Sequence, residues 1–308
     1  MTLARLAGVL LVACAPAYAP PDATAPGTPR PSLDPTLKRE RLALLAQINA
    51  DRRATGAPPL VLDTLATSVA QEHAEAMANG GFVSHYGPGG DAPYERYALA
   101  GGTAHVVENV LGQRVSGFRP GEATLAERFD AELVHDFLMS SPGHRASILD
   151  PHRTHVGLGI AFGPDGRSLL VAEEFLARHA EIVAPRLTWH RSSIEIAGRV
   201  SGSRIRPLLL VLRREPAIRA WASRGEPPPP GPYSDGAEGG SVLVPPWLIA
   251  WRRDGFFEAP LPLQREAPGR YYGILYVAPS GVVESALARG RVTTEDGWPG
   301  AAFVIEVL

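Results

Sequence analysis

Three polar side chains, His85, Glu108 and His144, have the chemistry to form one functional site. His85 stands in "GGFVSHYGPGG", Glu108 in "HVVENVLG" and His144 in "SSPGHRASILDP". Each is expected at a break that follows an ordered element. Two imidazoles and a carboxylate can bind a divalent metal ion, or act as a base and its orienting group around a water molecule. Sequence spacing by itself does not bring the three together.

The break before His144 is the sharpest of the three. Pro142 lacks an N–H group and disfavours helical geometry at Ser141, while Gly143 tolerates the backbone angles of a sharp turn. We therefore predict that a long helix ends here, and that a short one restarts at Arg145 and ends before Pro151. Such a break places His144 just past the end of the long helix.

Helices are predicted from apolar periodicity and capping residues. They run from Asp34 to Gly56, from Asp63 to Asn79, around 93–100, and from a capping box at Thr124–Glu127 up to the break. Leu125, Phe129, Leu133 and Phe137 mark the apolar face of the last helix. His73 lies on or beside the apolar stripe of the second, where we interpret it as a helix-packing residue and not a ligand. Strands at 155–162 and 167–177 form a predicted hairpin.

The N-terminal residues 1–19 are typical of a secretory signal, because the apolar run is shorter than the roughly 20 residues that span a bilayer. Leu11–Cys14 resembles a bacterial lipobox, which predicts that Cys14 is lipidated and becomes the first mature residue. The alternative is ordinary cleavage after Ala19, which gives a secreted protein. As Cys14 is the single cysteine, neither an internal disulfide nor a cysteine metal site is expected. Residues 20–35 are a proline-rich linker.

Residues 181–308 are predicted to form a second domain of a different kind. Short β-branched and aromatic segments separated by Pro/Gly turns predict an all-β, sandwich-like domain, with at most one helical turn at Ser285–Arg289. The stretch 225–241, "GEPPPPGPYSDGAEGGS", is predicted to be a long irregular loop within it.

The segments "GGFVSH", "EN", "SPGHRASIL" and "HVGLGIAF", in this order and spacing, resemble the CAP superfamily of cysteine-rich secretory proteins, antigen 5 and pathogenesis-related 1. The likeness is to its cysteine-poor bacterial branch and covers about 42–176. It implies an α+β fold: an α-β-α sandwich over 36–178 with His85, Glu108 and His144 lining one cleft. Many members complete a tetrad with a second glutamate, but Ser140 stands at that position. Glu173 is the substitute we predict.

Alternation along a strand places Glu173 on the same face as Phe175 and points Glu174 the opposite way. At most one of these two glutamates therefore faces the cleft.

Other functional classes lack sequence support. The 30 basic and 32 acidic residues nearly balance, and no basic groove with aromatics is present, so nucleic-acid binding is not expected. Neither a G-x-S-x-G elbow nor an H-E-x-x-H motif occurs.

The sequence predicts a lipid-anchored protein of the cell envelope that binds an envelope lipid or polymer. Its cleft would hold a divalent metal such as zinc through His85, Glu108, His144 and Glu173. Two alternatives stay open: a metal-dependent hydrolase using the same cleft, or an inert hydrogen-bond network beside a β domain that binds the partner.

Overall fold

The computed structural model describes residues 37–114, 129–164, 166–188, 193–215, 219–230, 241–261, 263 and 269–307. The chain divides into two compact units, and the break between them falls after Arg178. The described residues 219–230 group with the first unit. Cys14, the linker 20–35 and the predicted cap Asp34 lie outside the described residues. Within the described ranges, no helix is long and apolar enough to cross a membrane.

The first unit is an α-β-α sandwich around a four-stranded sheet of order β1-β3-β4-β2, as predicted. Among the described strands of this sheet, only β1 and β3 pair in parallel. Its elements are α1 (Lys38–Ala54), β1 (Val61–Leu62), α2 (Thr64–Gly80), α3 (Pro93–Leu99), β2 (His105–Arg114), α4 (Ala131–Ser140), α5 (Pro142–Leu149), β3 (His155–Phe162), β4 (Ser168–Ala177) and α6 (Ala220–Ser223).

Alternation along β4 separates the two helical layers. Leu169, Val171 and Phe175 face a core shared with α1, α4 and α5, whereas Leu170 and Ala172 face α2. Glu173 therefore belongs to the first face and Glu174 to the second. β2 is an edge strand of the sheet, next to β4. Its two faces therefore lie toward opposite helical layers.

Helix α2 was predicted almost to the residue. Asp63 caps it by accepting the Ala66 N–H at 2.8 Å, and Gly81 ends it with a left-handed φ of 66°. Alanines on α2 face glycines on β3. A Cβ on Gly157 would lie 2.2 Å from the Ala66 carbonyl carbon, so this helix packs directly on the strand backbone.

Helix α4 differs from the prediction in its start and in its buried face. It begins at Ala131, capped by Asp130, and not at the Thr124–Glu127 box, which lies outside the described residues. Val134 and Leu138 are buried against α1, whereas Leu133 and Phe137 are 46% and 48% exposed. Apolar residues do recur every four positions in this segment. The face that packs against α1, however, is the neighbouring one, which carries Val134 and Leu138.

The break before His144 is present, although the restart comes earlier than predicted. Ser141 is extended and α5 begins at Pro142 instead of Arg145, because a first helical position does not need the N–H that proline lacks. Ser141 makes no side-chain cap. Glu108 likewise differs from expectation, since β2 continues past it to Arg114 and places it mid-strand.

The second unit contains two four-stranded antiparallel sheets, β5-β6-β10-β9 and β12-β11-β7-β8, that share one core of buried apolar residues from both sheets. Its elements are β5 (Ala180–Thr188), β6 (Ser193–Val200), β7 (Ile205–Arg214), β8 (Val242–Val244), β9 (Ala250–Trp251), β10 (Phe256–Leu261), β11 (Gly269–Pro279), α7 (Ser280–Arg289) and β12 (Trp298–Val307).

Two features of this part of the chain depart from the prediction. The expected single turn at Ser285–Arg289 is a ten-residue helix, α7, which packs Val283 and Ala286 against the outer side chains of β7. The stretch 225–241 was expected to belong to the β domain. Its described residues 225–230 lie in the first unit instead.

We expect Gly157→Ala to destabilise the first unit by roughly 2 to 3 kcal/mol, because the new methyl group meets helix backbone and cannot be accommodated by a rotamer change. Gly143→Ala is the matched control: it lies in α5, a Cβ there meets nothing within 4 Å, and its effect should be neutral or slightly stabilising. Urea unfolding followed by far-UV circular dichroism measures both. Equal stability of the two variants would contradict the close packing of α2 on β3.

Candidate functional site

A cleft of about 550 Å³ lies at the edge of β2 and collects side chains from several elements. His85 comes from the loop after α2, His144 from α5, and Glu108 and Asn109 from β2 itself. Ser84, Ser141 and Ser147 add hydroxyl groups, and Val83, Val107 and Val110 add apolar wall. The structure thus brings His85, Glu108 and His144 to one cleft, which their sequence spacing could not establish.

Glu108 is the most strongly held side chain of the site. Its Oε2 lies 2.9 Å from His85 Nδ1, and its Oε1 accepts from Arg96 Nη2 at 2.5 Å, so both oxygens are engaged. Burial alone would raise the pKa of Glu108, but Arg96 and the neighbouring histidines outweigh it and hold that pKa below its usual range. Glu108 is therefore a buried carboxylate with a compensating guanidinium.

Arg96, on α3, was not singled out from the sequence. Besides Glu108 it binds the backbone carbonyls of His85 at 2.8 Å and Asp91 at 2.9 Å through Nη1. One guanidinium consequently fixes the carboxylate and the loop that carries His85. A lone arginine on a short helix carries no sequence signal for such a role.

His73 and Glu174 also lie beside Glu108. The Nε2–H of His73 donates to the Ser84 carbonyl at 2.8 Å and lies 3.9 Å from Glu108 Oε2. Burial is the main cause that lowers the pKa of His73 to about 4, so its ring is neutral. Burial raises the pKa of Glu174 well above its usual range, although Arg96 lies 3.9 Å away. His73 thus packs in a helix as predicted, but it also contacts the site.

Glu173 does not share a face with Glu108. It lies opposite Asn109 across the β2–β4 ladder, and Asn109 Nδ2 donates to its Oε2 at 3.1 Å and to the His144 carbonyl at 3.2 Å. Burial raises the pKa of Glu173 to about 7. Its connection to the cleft runs through Asn109, which ties α5 to the sheet.

His144 differs from the other histidines because it is half-buried and reaches into the cleft. Burial, followed by the charge of His85, lowers its pKa below the usual value. A neutral imidazole can both donate and accept a hydrogen bond, so His144 suits a polar ligand without formal charge.

The donor groups do not fit a divalent metal ion as they are arranged. Within the described ranges, no group of three or more His, Cys, Asp or Glu side chains has the disposition of a metal site. Both Glu108 oxygens are already used, one of them by a guanidinium whose positive charge opposes a nearby cation. Zinc binding by His85, Glu108, His144 and Glu173 stays a prediction.

Comparison with known proteins agrees with the sequence resemblance. Residues 45–175 match the family model described as "CAP: Cysteine-rich secretory protein family". The chain is 27% identical over 111 residues to the uncharacterized protein YkwD of Bacillus subtilis (strain 168), and the match covers 36% of this chain and 38% of that relative.

Two solved structures are similar to part of the chain. An outer surface protein from Borrelia burgdorferi is 16% identical, with 46% of this chain and 96% of that chain covered and a TM-score of 0.38. An extracellular protein containing a SCP domain from Bacillus anthracis str. Ames is 21% identical, with 50% and 45% covered and a TM-score of 0.36.

We expect Arg96→Met to destabilise the first unit by about 3 to 5 kcal/mol, because it leaves Glu108 as an uncompensated buried charge. Arg199→Met is the control: Arg199 pairs with Asp254 at 3.6 Å and both side chains are more than half exposed, so the loss in its own unit should stay below about 1 kcal/mol. Chemical unfolding at pH 7 measures both. Similar losses for the two arginines would contradict the role assigned to the buried pair.

A second prediction concerns pH. The pKa of Glu173 is raised on folding, so the folded state binds the extra proton between about pH 4.5 and 7 and stability falls as the pH rises through that window. Glu173→Gln removes the free-energy cost of ionising this buried carboxyl group. At pH 8 we expect the variant to gain on the order of 2 to 3 kcal/mol over wild type, and at pH 4 little.

The lowered pKa of His73 makes stability rise with pH, which is the opposite dependence. Because His73 is present in both wild type and variant, its contribution cancels in the stability difference between them. Asp136→Asn on the exposed face of α4 is the control and should show no pH-dependent gain. Thermal melts at pH 4, 6 and 8 make the comparison, and a pH-independent difference for Glu173→Gln would contradict the raised pKa.

Proposed function

With residues 45–175 forming a CAP domain, we propose that this protein acts outside the cytoplasm as a binding module for a polar polymer of the cell envelope. The cleft between His85 and His144 would hold a segment of that polymer. A lipid on Cys14 and the linker 20–35 would tether the domain to a membrane. The observation that carries the proposal is an open cleft whose polar groups come from both helical layers and are fixed by buried hydrogen bonds.

The polar groups favour a hydrogen-bonding ligand over an acyl chain. The cleft lining combines hydroxyl, amide and imidazole groups with valines, which is the usual composition of a site that orients a ligand by a few placed polar contacts. A lipid tail would leave those groups unpaired, at a cost of about 1 to 3 kcal/mol for each buried one. A glycan or peptide segment can satisfy them.

Metal-dependent hydrolysis is the weaker candidate for the same cleft. A catalytic zinc site needs protein ligands with free donor atoms and an open position for water. Here the carboxylate of Glu108 is bound by Arg96 and His85, and Glu173 lies on the other face of the sheet. A binding role uses the same groups without rearrangement.

Blocking the cleft tests the proposal. Ser147→Trp places an indole on the cleft wall, and Ala146→Trp places it on the exposed side of α5, outside the lining, as the matched control. Both are made in the Cys14→Ser protein, which we also expect to leave the membrane fraction because it carries no anchor. The probe is sedimentation with isolated cell-wall sacculi, and in parallel with phospholipid vesicles.

We expect retention on sacculi for the Cys14→Ser and Ala146→Trp proteins and roughly tenfold weaker retention for Ser147→Trp, since one blocked contact region costs about 1.4 kcal/mol. Retention on vesicles alone would replace the polymer by a lipid ligand. Equal retention of both tryptophan variants would show that the cleft is inert, and the second unit would then be the binding part.

A further inference from the structure

The return segment, residues 219–230, belongs to the first unit although it lies between two strands of the second in the chain. It comprises α6 and four consecutive prolines, Pro227–Pro230. Pro228 is buried, and Pro230 lines the cleft together with His85 and His144. A proline run far from the motif residues therefore borders the candidate binding site.

Arg219 anchors the start of the return segment. Its Nε donates to the Gly90 carbonyl at 2.8 Å, and its Nη2 lies 3.7 Å from Oε2 of the buried Glu95. The guanidinium also stacks 4.2 Å over the ring of Tyr86, while the Trp221 ring lies 6.0 Å from it. These cation–π and aromatic contacts cover Tyr86, which is only 8% exposed.

A glycine turn directs the prolines toward the cleft. Gly225 has a left-handed φ of 68° and donates to the Ala222 carbonyl at 3.0 Å, and the Glu226 N–H donates to the Trp221 carbonyl at 3.1 Å. This pattern ends a helix sharply. The prolines that follow have fixed φ angles and no N–H groups, so they form a pre-organised extended segment.

Ser84 binds the proline run directly. Its Oγ accepts the Tyr86 N–H at 3.1 Å, which directs its own proton to the carbonyl of Pro229 at 2.6 Å. Carbonyls of a proline run have no partners within the run, and domains that recognise such segments combine aromatic surfaces with hydrogen-bond donors. Here Ser84 supplies the donor to the prolines, and the ring of Tyr86 contacts Arg219 and Trp221 at the start of the same segment.

We propose that Ser84, Tyr86 and Gly90 form a site for extended proline-rich peptides at the rim of the cleft, and that the return segment occupies it as a built-in cover. The proposal goes beyond the polymer binding proposed for the cleft, and its ligand class is a peptide with an arginine and an aromatic residue ahead of a proline run. Such a peptide supplied in trans competes with the tethered segment, whose effective concentration is about millimolar.

The test uses a fluorescent peptide of sequence RAWASRGEPPPP, which is residues 219–230, and measures its anisotropy with the full chain. In the opened variant, Arg219 and Trp221 become alanine and Pro227–Pro230 become Gly-Ser-Gly-Ser. We expect the opened variant to bind the peptide roughly tenfold or more tightly than wild type, because the competitor in cis is gone. A peptide with alanine at Arg219 and Trp221 should bind weakly.

Adding Ser84→Ala to the opened variant should weaken peptide binding roughly three- to tenfold, the value of one hydrogen bond. Ser68→Ala on α2, outside the cleft lining, is the control and should leave binding unchanged. Equal peptide affinity of wild type and opened variant overturns the proposal. So does failure of an opened variant with a wild-type melting temperature to bind.

Sedimentation with sacculi distinguishes a failure of the peptide site from a failure of the polymer binding proposed for the cleft. If Ser147→Trp lowers retention and the opened variant binds no peptide, the binding module stands and the peptide site fails. If the opened variant binds peptide while Ser147→Trp retains sacculi fully, the polymer function fails and the peptide site stands by itself.

Discussion

The candidate site depends on a carboxylate buried in the outer strand of a sheet. Glu108 is 4% exposed, and ionising it there is tolerable only because Arg96 and His85 bind its two oxygens. The same guanidinium binds the backbone of the His85 loop. Charge compensation and loop positioning therefore depend on the same side chain, Arg96.

The sheet distributes its acidic residues between two environments. Glu108 and Glu174 face α2 and Arg96, whereas Glu173 faces the α1, α4 and α5 layer and is bound by Asn109. Burial raises the pKa of both Glu173 and Glu174, so the site combines one carboxylate with two carboxyls that resist ionisation. This separation allows three glutamates to pack within one strand pair.

Close backbone packing positions the side chains around Glu108. Gly157 and Gly159 let α2 lie directly on β3, and α2 carries His73 to within 3.9 Å of Glu108. On the other side, Asn109 holds α5 through the His144 carbonyl. The two histidines of the cleft are thus positioned from opposite helical layers that meet at the edge of β2.

The sequence by itself determined much of this protein. Periodicity located α1, α2 and the β3–β4 hairpin, because this signal is local, and capping residues marked both ends of α2. The start of α1 at Lys38, with Leu37 at the N-cap and no side-chain cap, was not located by the predicted cap at Asp34. The motifs around His85, Glu108 and His144 were sufficient to identify the α-β-α fold and to nominate the site. Alternation also showed correctly that Glu173 and Glu174 point in opposite directions, although it could not tell which one faces Glu108.

Tertiary structure decided what depends on contacts distant in sequence. Strand register paired Glu108 with Glu174 and Asn109 with Glu173, and packing on α1 chose the buried face of α4. Arg96 became part of the site only when α3 was placed beside β2. The same holds for the return segment. Its composition predicts only an irregular proline-rich loop, whereas its contacts with Ser84 and Tyr86 depend on residues distant in sequence.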